Sequence, residues 1–276
     1  MNDGVIHRKY KIEKFIGNGK FGRVYQGYNI KTNEIVAIKL ESSDAPCKIL
    51  KNETTILNYL YRKGCKCVPF IYWFGLYLEN STLVMTYYEY SLDQYITNHH
   101  YSPADSNRIL KSMLKILEQI HSHFIIHRDI KPHNFMMRDG ELYLIDFGMA
   151  TSYSDTDEER TGKTDILGTP KYISIHIHNG VDPSRRDDVI SACYIYLQMR
   201  LGYLPWDQAR FTQTESKKIK ETDVSTEINI WRKSLKSWVH IEPIAKELDA
   251  EFLLFLNSAY LTEFKDAPRY TFFTPN

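Results

Sequence analysis

The chain has 276 residues, of which 43% are hydrophobic and 25% charged, and its formal net charge is +1. This composition is typical of a globular protein with a substantial core and argues against an intrinsically disordered chain. A near-neutral charge gives no global attraction to nucleic acid or to an anionic membrane, so neither is expected as a partner. No apolar run approaches the ~20 residues that a membrane-spanning helix requires.

The cysteines indicate a reducing compartment. The chain contains Cys47, Cys65, Cys67 and Cys193. Cys65 and Cys67 are too close for the usual zinc-ligand spacing, and no Cys or His pair follows them. Free thiols, together with an N-terminus that lacks the apolar core of a signal peptide, predict an intracellular protein of the cytoplasm or nucleus. We expect it to be a monomer.

The N-terminal part of the chain has the apolar alternation of β-strands, with a hairpin loop at 29–33. Strands are predicted over 10–16, 24–25, 35–40, 68–74 and 82–87. One helix interrupts them, over 49–60, because its apolar residues fall on a single stripe. These are Ile49, Ile56, Leu57 and Leu60.

Helical periodicity dominates after Ser91. A wide apolar face at helical spacing contains Ile109, Leu110, Met113, Leu114, Leu117 and Ile120. Strands followed by helices predict an α+β fold with two segregated lobes. The small lobe, over about 10–87, is mainly antiparallel β with one main helix, and the larger lobe, over about 91–270, is mainly α-helical. Both belong to one domain that spans 1–276.

A glycine-rich segment lies between the first two predicted strands. Its residues are Ile16, Gly17, Asn18, Gly19, Lys20, Phe21 and Gly22, followed by Val24. Glycine lets a backbone approach phosphate oxygens because no Cβ stands in the way. A simple hairpin turn is the alternative interpretation. A dinucleotide site is excluded, since a strand and not a helix follows the glycines.

A lysine and a glutamate extend this pattern. Ala37 and Lys39 share one face of a predicted strand, where a small residue leaves room for a flat base and the lysine reaches its phosphates. Glu53 lies on the apolar stripe of the predicted helix, where an unpaired charge would be costly. Lys39 is its natural partner. The alternatives are a solvated lysine on an edge strand and a glutamate that reaches water.

Two further segments carry residues suited to phosphoryl transfer. The first is Ile126-His127-Arg128-Asp129-Ile130-Lys131-Pro132-His133-Asn134, and the second is Asp146-Phe147-Gly148. Asp129 suits the orientation of an incoming hydroxyl, and Lys131 can neutralise charge on the transferred group. Asn134 and Asp146 supply hard oxygen ligands for magnesium. The order and spacing of all these residues make coincidence negligible.

These motifs resemble those of the protein kinase superfamily, over about 10–270. The resemblance implies a bilobal kinase fold, ATP and Mg2+ as cofactors, and proteins as substrates. Met85 corresponds to the gatekeeper, and Thr86, Tyr87 and Tyr88 to the hinge that binds adenine. Lys131, two residues after Asp129, is typical of the serine/threonine class, which transfers the γ-phosphoryl group of ATP to Ser/Thr hydroxyls. The alternative is a pseudokinase scaffold, although Lys39, Asp129, Asn134 and Asp146 are all retained.

A narrower resemblance is to the casein kinase I family. It rests on Ser174-Ile175-His176 in place of Ala-Pro-Glu, on Ser184-Arg185-Arg186-Asp187-Asp188 and on Leu204-Pro205-Trp206. His176 departs from the family's Asn. The resemblance implies that Asp188 braces the catalytic loop and that activation-loop phosphorylation is not required. Since the sequence ends soon after Tyr270, we expect it to lack the long regulatory tail that some relatives carry.

The casein kinase I resemblance also implies a basic pocket for acidic or phosphorylated substrates. Arg128, Lys171 and Lys217 are assigned to it. Thr151 and Ser152 replace two of the family's basic residues, and the following segment 154–160 is acidic. Since carboxylates near the substrate repel phosphate, we expect a weaker dependence on phosphorylated substrates than is usual in that family.

Overall fold

The computed structural model describes residues 4–19, 22–45, 48–98, 102–162, 166–207 and 221–272. The chain divides into two compact units. The first unit comprises Met1–Leu92 together with His133–Ala150, and the second comprises Asp93–Pro132 and Thr151–Asn276. The segment His133–Ala150 therefore groups with residues that are distant from it along the chain.

The described residues form eleven strands and eight α-helices. The strands are β1 (Val5–Ile6), β2 (Tyr10–Gly19), β3 (Gly22–Asn29), β4 (Ile35–Glu41), β5 (Ile71–Tyr77), β6 (Asn80–Thr86), β7 (Tyr90–Ser91), β8 (Ile125–Ile126), β9 (Phe135–Arg138), β10 (Glu141–Leu144) and β11 (Thr151–Ser152). The helices are α1 (Ile49–Arg62), α2 (Leu92–Asn98), α3 (Pro103–His121), α4 (Ile175–His178), α5 (Arg185–Leu201), α6 (Glu221–Leu235), α7 (Trp238–Leu248) and α8 (Ala250–Leu261).

The first unit is built on an antiparallel sheet of six strands in the order β1-β2-β3-β4-β6-β5. Because side chains alternate along each strand, the apolar residues of β4 and β6 fill two cores. One face buries Val36, Ile38 and Val84 together with residues of β1 and β2. The opposite face packs against α1, which the stripe of apolar residues correctly predicts and which extends to Arg62.

The hairpin of β5 and β6 differs from its predicted bounds. The first strand begins after Val68 and continues beyond Phe74, and the second begins before Thr82. Leu78 and Glu79 join them with φ angles of 46° and 64°. A two-residue turn with positive φ suits the twist of a hairpin, but glycine or asparagine usually forms it. The sequence therefore lacks the turn signal that would have predicted this register.

The second unit is mainly helical. Helix α3 begins after Ser102, whose side chain accepts a hydrogen bond from the backbone amide of Asp105 at 3.1 Å. Its apolar face is buried as predicted and packs against α5. Helix α5 is buried on nearly every side. It is followed by Gly202, whose φ of 79° is the left-handed conformation that favours glycine.

An antiparallel sheet in the first unit and helices in the second confirm the predicted α+β class. A second, three-stranded sheet of the first unit has the order β10-β9-β7, and β8 pairs with β11 in the second unit. Among the helices of the described residues, none combines the length and the apolar character needed to cross a membrane.

Candidate active site

Four of the predicted nucleotide-binding residues lie on one face of the six-stranded sheet. Ala37 on β4 is opposite Met85 on β6, and Lys39 on β4 is opposite Val24 on β3. Opposite residues in antiparallel strands point to the same face, and Ala37 and Lys39 share a face because they are two residues apart. Ala37 and Met85 are each only 7% exposed, so they form an apolar surface beside the lysine.

Gly17 and Gly22 differ in the space that a side chain would meet at each position. Gly17 pairs with Val24, and a Cβ added to Gly17 would meet no atom within 4 Å. The backbone is therefore open to a ligand at this position. A Cβ at Gly22 would lie 2.1 Å from the carbonyl oxygen of Leu40, so the approach of β4 itself requires this glycine.

Two further residues of the glycine-rich segment lie on the surface of β2. Ile16 and Asn18 are exposed on β2, which ends at Gly19. Lys20 and Phe21 lie outside the described residues.

Lys39 is the centre of an ion-pair network in the first unit. Its Nζ lies 2.7 Å from Glu53 Oε2 and 2.8 Å from Asp146 Oδ1. The pairing with Glu53, expected from the helix stripe, is therefore present. Burial acts to lower the pKa of Lys39, but the two carboxylates outweigh it and raise that pKa above its ordinary value. Lys39 consequently remains a cation at neutral pH.

Glu53 owes its position to α1. It is fully buried on the same side of the helix as Leu50, Ile56 and Leu57. A buried carboxylate without a cation would be strongly destabilising, and Lys39 supplies that cation. The packing of α1 against the sheet therefore fixes the lysine on its face.

Asn134 and Asp146, the two predicted metal ligands, are close together at one end of the β9–β10 hairpin. Phe135 pairs with Leu144, and the backbone amide of Ile145 donates to the carbonyl oxygen of Asn134 at 2.9 Å. Asp146 has a φ of 62°, an uncommon conformation for a non-glycine residue. Such outliers persist where the surroundings hold them, often at functional sites.

The donor set of this hairpin end fits a divalent metal ion. It combines a carboxylate with a side-chain amide, and hard cations such as Mg2+ prefer oxygen ligands of this kind. Asn134 is 4% exposed and the side chain of Asp146 is 23% exposed. A carboxylate with partial access to solvent is able to take a ligand from outside the protein.

The predicted hinge follows β6. Thr86 is the last residue of this strand, and its backbone amide and hydroxyl are bonded to Phe70. Tyr87 and Tyr88 continue without regular structure, and Tyr88 is buried against Tyr143 with their ring centroids 4.8 Å apart.

Asp129, the predicted catalytic residue of the second unit, is held by two side chains. Lys131 Nζ donates to its Oδ2 at 2.6 Å, and the hydroxyl of Thr169 donates to its Oδ1 at 2.6 Å. Lys131 and Thr169 are themselves 3.3 Å apart. Thr169 was not among the predicted site residues, because nothing in its local pattern connects it to a carboxylate far along the chain.

Asp188 braces the segment that carries Asp129. It accepts hydrogen bonds from the backbone amides of His127 at 2.7 Å and Arg128 at 2.9 Å, and its Oδ2 lies 3.0 Å from His121 Nε2. Burial acts to raise the pKa of Asp188, but the hydrogen bond and charge of His121 and those of His127 outweigh it and lower that pKa. Arg128, one of the two residues whose amides donate to Asp188, has a left-handed backbone with a φ of 68°.

The three residues assigned to an anion pocket have separate environments. Arg128 is half-buried and lines a cavity of about 250 Å³ with residues of β11, the acidic segment after it and the start of α5. Lys171 is not in the wall of this cavity, and its Nζ lies 2.7 Å from Asp207 Oδ2. Lys217 lies outside the described residues.

Comparison with known families agrees with this geometry. The model of the family described as protein kinase domain matches residues 10–264, which is most of the chain. This family uses ATP and a divalent metal ion and phosphorylates proteins. Its fold combines an antiparallel β N-terminal part with a helical C-terminal part, as the two units do. The chain therefore belongs to the protein kinase family.

Proposed function

We propose that this chain is a serine/threonine protein kinase of the casein kinase I type, which transfers the γ-phosphoryl group of ATP to Ser/Thr hydroxyls of proteins with Mg2+ as the metal ion. The observation that carries the proposal is the fixed carboxylate of Asp129, held by Lys131 and Thr169 at 2.6 Å each. A lysine at this position is the feature that resembles the serine/threonine class.

Asp129 and Lys131 have distinct proposed roles. As the substrate oxygen bonds to the γ-phosphorus and the bond to the ADP oxygen breaks, Asp129 orients the hydroxyl and receives its proton. Lys131 neutralises the negative charge that develops on the transferred group. The hydrogen bonds to Asp129 restrict its rotamers, so little reorganisation is needed during transfer.

The first unit is proposed to bind the nucleotide. Lys39, fixed by Glu53, contacts the phosphates, and the open backbone at Gly17 contributes to their binding together with the rest of the segment 16–24. Ala37 and Met85 contact the base, and the segment 86–88 provides the hinge. Asn134 and Asp146 would hold Mg2+, which would neutralise phosphate charge. Oxygen atoms of phosphate and water usually complete the coordination of such an ion.

Two of the three segments that carry the resemblance to casein kinase I contact each other directly. Ser174 caps α4, its hydroxyl accepting a hydrogen bond from the amide of Ile177 at 3.2 Å and donating one to Asp187 Oδ1. Asp187 also accepts from the amide of Ser184 at 2.7 Å. The Ser-Ile-His and Ser-Arg-Arg-Asp-Asp segments are thus joined by hydrogen bonds.

The anion pocket is proposed in a modified form. Arg128 faces the cavity, but Arg185 and Arg186 of α5 are engaged by the acidic segment, at 3.4 Å from Asp155 and 3.2 Å from Glu159. Lys171 and Lys217 are the other proposed anion contacts. Internal carboxylates of this kind reduce the benefit of a phosphorylated substrate.

The protein is still proposed to be intracellular and monomeric. Cys65, Cys67 and Cys193, the cysteines among the described residues, form no disulfide. Burial raises the pKa of the Cys67 thiol to about 12, which keeps it protonated and weakly reactive. Such thiols suit a reducing compartment.

Incorporation of radiolabelled phosphate from ATP into casein, with and without magnesium, tests the proposed function. Asp146→Ala is expected to reduce the rate by at least about a hundredfold, since it removes a metal ligand. Lys39→Met is expected to depress it strongly. Asp139→Asn is the control, because Asp139 belongs to the same unit, its side chain is 87% exposed, and asparagine tolerates its φ of 53°. A wild-type protein that binds ATP but labels nothing would favour the pseudokinase scaffold.

A further inference from the structure

Lys236 is a lysine without solvent exposure in the second unit. Its Nζ donates to the carbonyl oxygens of Pro170 at 2.9 Å and Ile173 at 2.8 Å, and lies 3.2 Å from His178 Nε2. In the part of the chain that the structure describes, no carboxylate forms an ion pair with it. Taking a cation out of water without a counter-ion is costly, so the contacts of this side chain must compensate for that cost.

Two aromatic rings replace the missing carboxylate. The Nζ of Lys236 lies 5.1 Å from the ring centroid of Tyr194 and 5.2 Å from that of Trp206. A desolvated cation at such distances is stabilised by the negative face of the ring. Burial and the charge of Arg232 nevertheless keep the pKa of Lys236 well below its ordinary value. Burial and Lys236 together lower the pKa of His178 to about 3, so this imidazole is neutral.

The carbonyl groups that Lys236 binds belong to one short segment. A third carbonyl of this segment, that of Lys171, accepts a hydrogen bond from Trp206 Nε1 at 2.7 Å. Three of the four residues 170–173 are therefore anchored through their backbone oxygens by buried donors. Such anchoring fixes the path of the backbone and leaves the side chain of Lys171 outside the anchoring contacts.

The anchored segment begins directly after Thr169, whose hydroxyl holds Asp129. The amides of Tyr172 and Ile173 in turn donate to the carbonyl oxygen of Thr169, at 2.8 and 3.2 Å. Any displacement of 170–173 would consequently be transmitted to the residue that orients the catalytic carboxylate.

We propose that Lys236 is a positioning residue of the kinase reaction, which holds the segment 169–173 in the conformation that receives the protein substrate beside Asp129. This inference rests on the proposed function. Lys236 touches neither nucleotide nor substrate. It acts by donating hydrogen bonds to two backbone carbonyl groups, those of Pro170 and Ile173, while Trp206 binds the third.

The test compares Lys236→Met with Lys233→Met. Lys233 is exposed on the same stretch of chain, so its substitution controls for the loss of a positive charge. The steady-state KM for a peptide substrate is expected to rise at least about tenfold in Lys236→Met, while the KM for ATP stays within about twofold of wild type. Hydrogen exchange is expected to accelerate in peptides that cover 169–174 and to remain unchanged in the first unit.

An unchanged KM for the peptide, or an equal change in the KM for ATP, would overturn the positioning role. Uniformly faster exchange throughout the second unit would overturn it too, because it would mean a general structural role. If Lys236→Met does not fold, the same measurements are made on Lys236→Gln. It retains an N–H donor, and a rise of about threefold in the KM for the peptide is expected. Absence of phosphorylation by both wild type and Lys233→Met would instead overturn the proposed function.

Discussion

The carboxylate of Asp188 accepts a hydrogen bond at 2.7 Å from the backbone amide of His127, two residues before Asp129. The amide of Arg128 donates to the second oxygen of the same carboxylate. A single buried side chain on α5 thus satisfies two consecutive amides of the catalytic segment, which would otherwise be buried without acceptors.

Asp188→Asn is expected to lower both stability and activity. The amide side chain retains one acceptor oxygen but presents N–H groups to a second backbone donor, which we expect to cost about 2–4 kcal/mol of unfolding free energy. The turnover number for casein should fall at least about tenfold, because the path of the backbone before Asp129 changes. Urea unfolding and initial rates measure the two effects. Equal stability of Asp188→Asn and the exposed control Asp139→Asn would contradict the bracing role.

Lys39→Met is expected to destabilise the first unit, apart from its effect on catalysis. Removal of the cation leaves Glu53 buried without its partner, at a cost of about 3–5 kcal/mol. Adding Glu53→Gln to Lys39→Met should restore much of this loss, because the amide carries no charge. Both variants should remain inactive in the casein assay. A double variant no more stable than the single one in thermal unfolding would show that the ion pair does not explain the destabilisation.

His178 is expected to make the protein sensitive to mild acid. Its folded pKa of about 3 lies below the ordinary value of 6.5, so below pH 6.5 the unfolded chain binds a proton that the folded chain excludes. Stability should therefore decrease as the pH falls from 6.5 towards 3. Between pH 7 and pH 5 the free energy of unfolding should fall by about 1–2 kcal/mol less in His178→Gln than in the wild-type protein.

Chemical denaturation at a series of pH values measures this linkage for His178. The same pH dependence in His178→Gln and wild type would mean that this imidazole is not excluded from protonation.

A phosphorylated residue near the acceptor is expected to improve a peptide substrate less than about tenfold, because internal carboxylates compete for the basic residues. Asp155 and Glu159 already engage Arg185 and Arg186. The double substitution Asp155→Asn with Glu159→Gln should increase the preference for the phosphorylated peptide. The ratio of kcat/KM for two matched peptides is the readout, with the exposed Glu251→Gln as control. A large preference in the wild-type protein would refute this prediction.

Local pattern was sufficient to predict the fold class, the helix α1 and which residues of β4 share a face. The stripe of α1 predicts both the helix and the burial of Glu53, and the alternation of β4 places Ala37 and Lys39 on one face. These features are predictable because periodicity shows which side of an element is buried, and a buried charge requires a partner. The spacing of the motifs then identifies the family that the match over 10–264 shows.

The partners of the second unit depend on the folded chain. Thr169 meets Asp129, and Lys236 meets the carbonyl groups of Pro170 and Ile173, across long stretches of sequence. In the sequence, Lys236 is indistinguishable from an exposed lysine of a helical surface. Its burial results from the way in which the helices and the segment 169–173 pack together. Periodicity carries no information about such contacts, because hydrogen-bond partners distant in the chain are selected by three-dimensional packing and not by spacing.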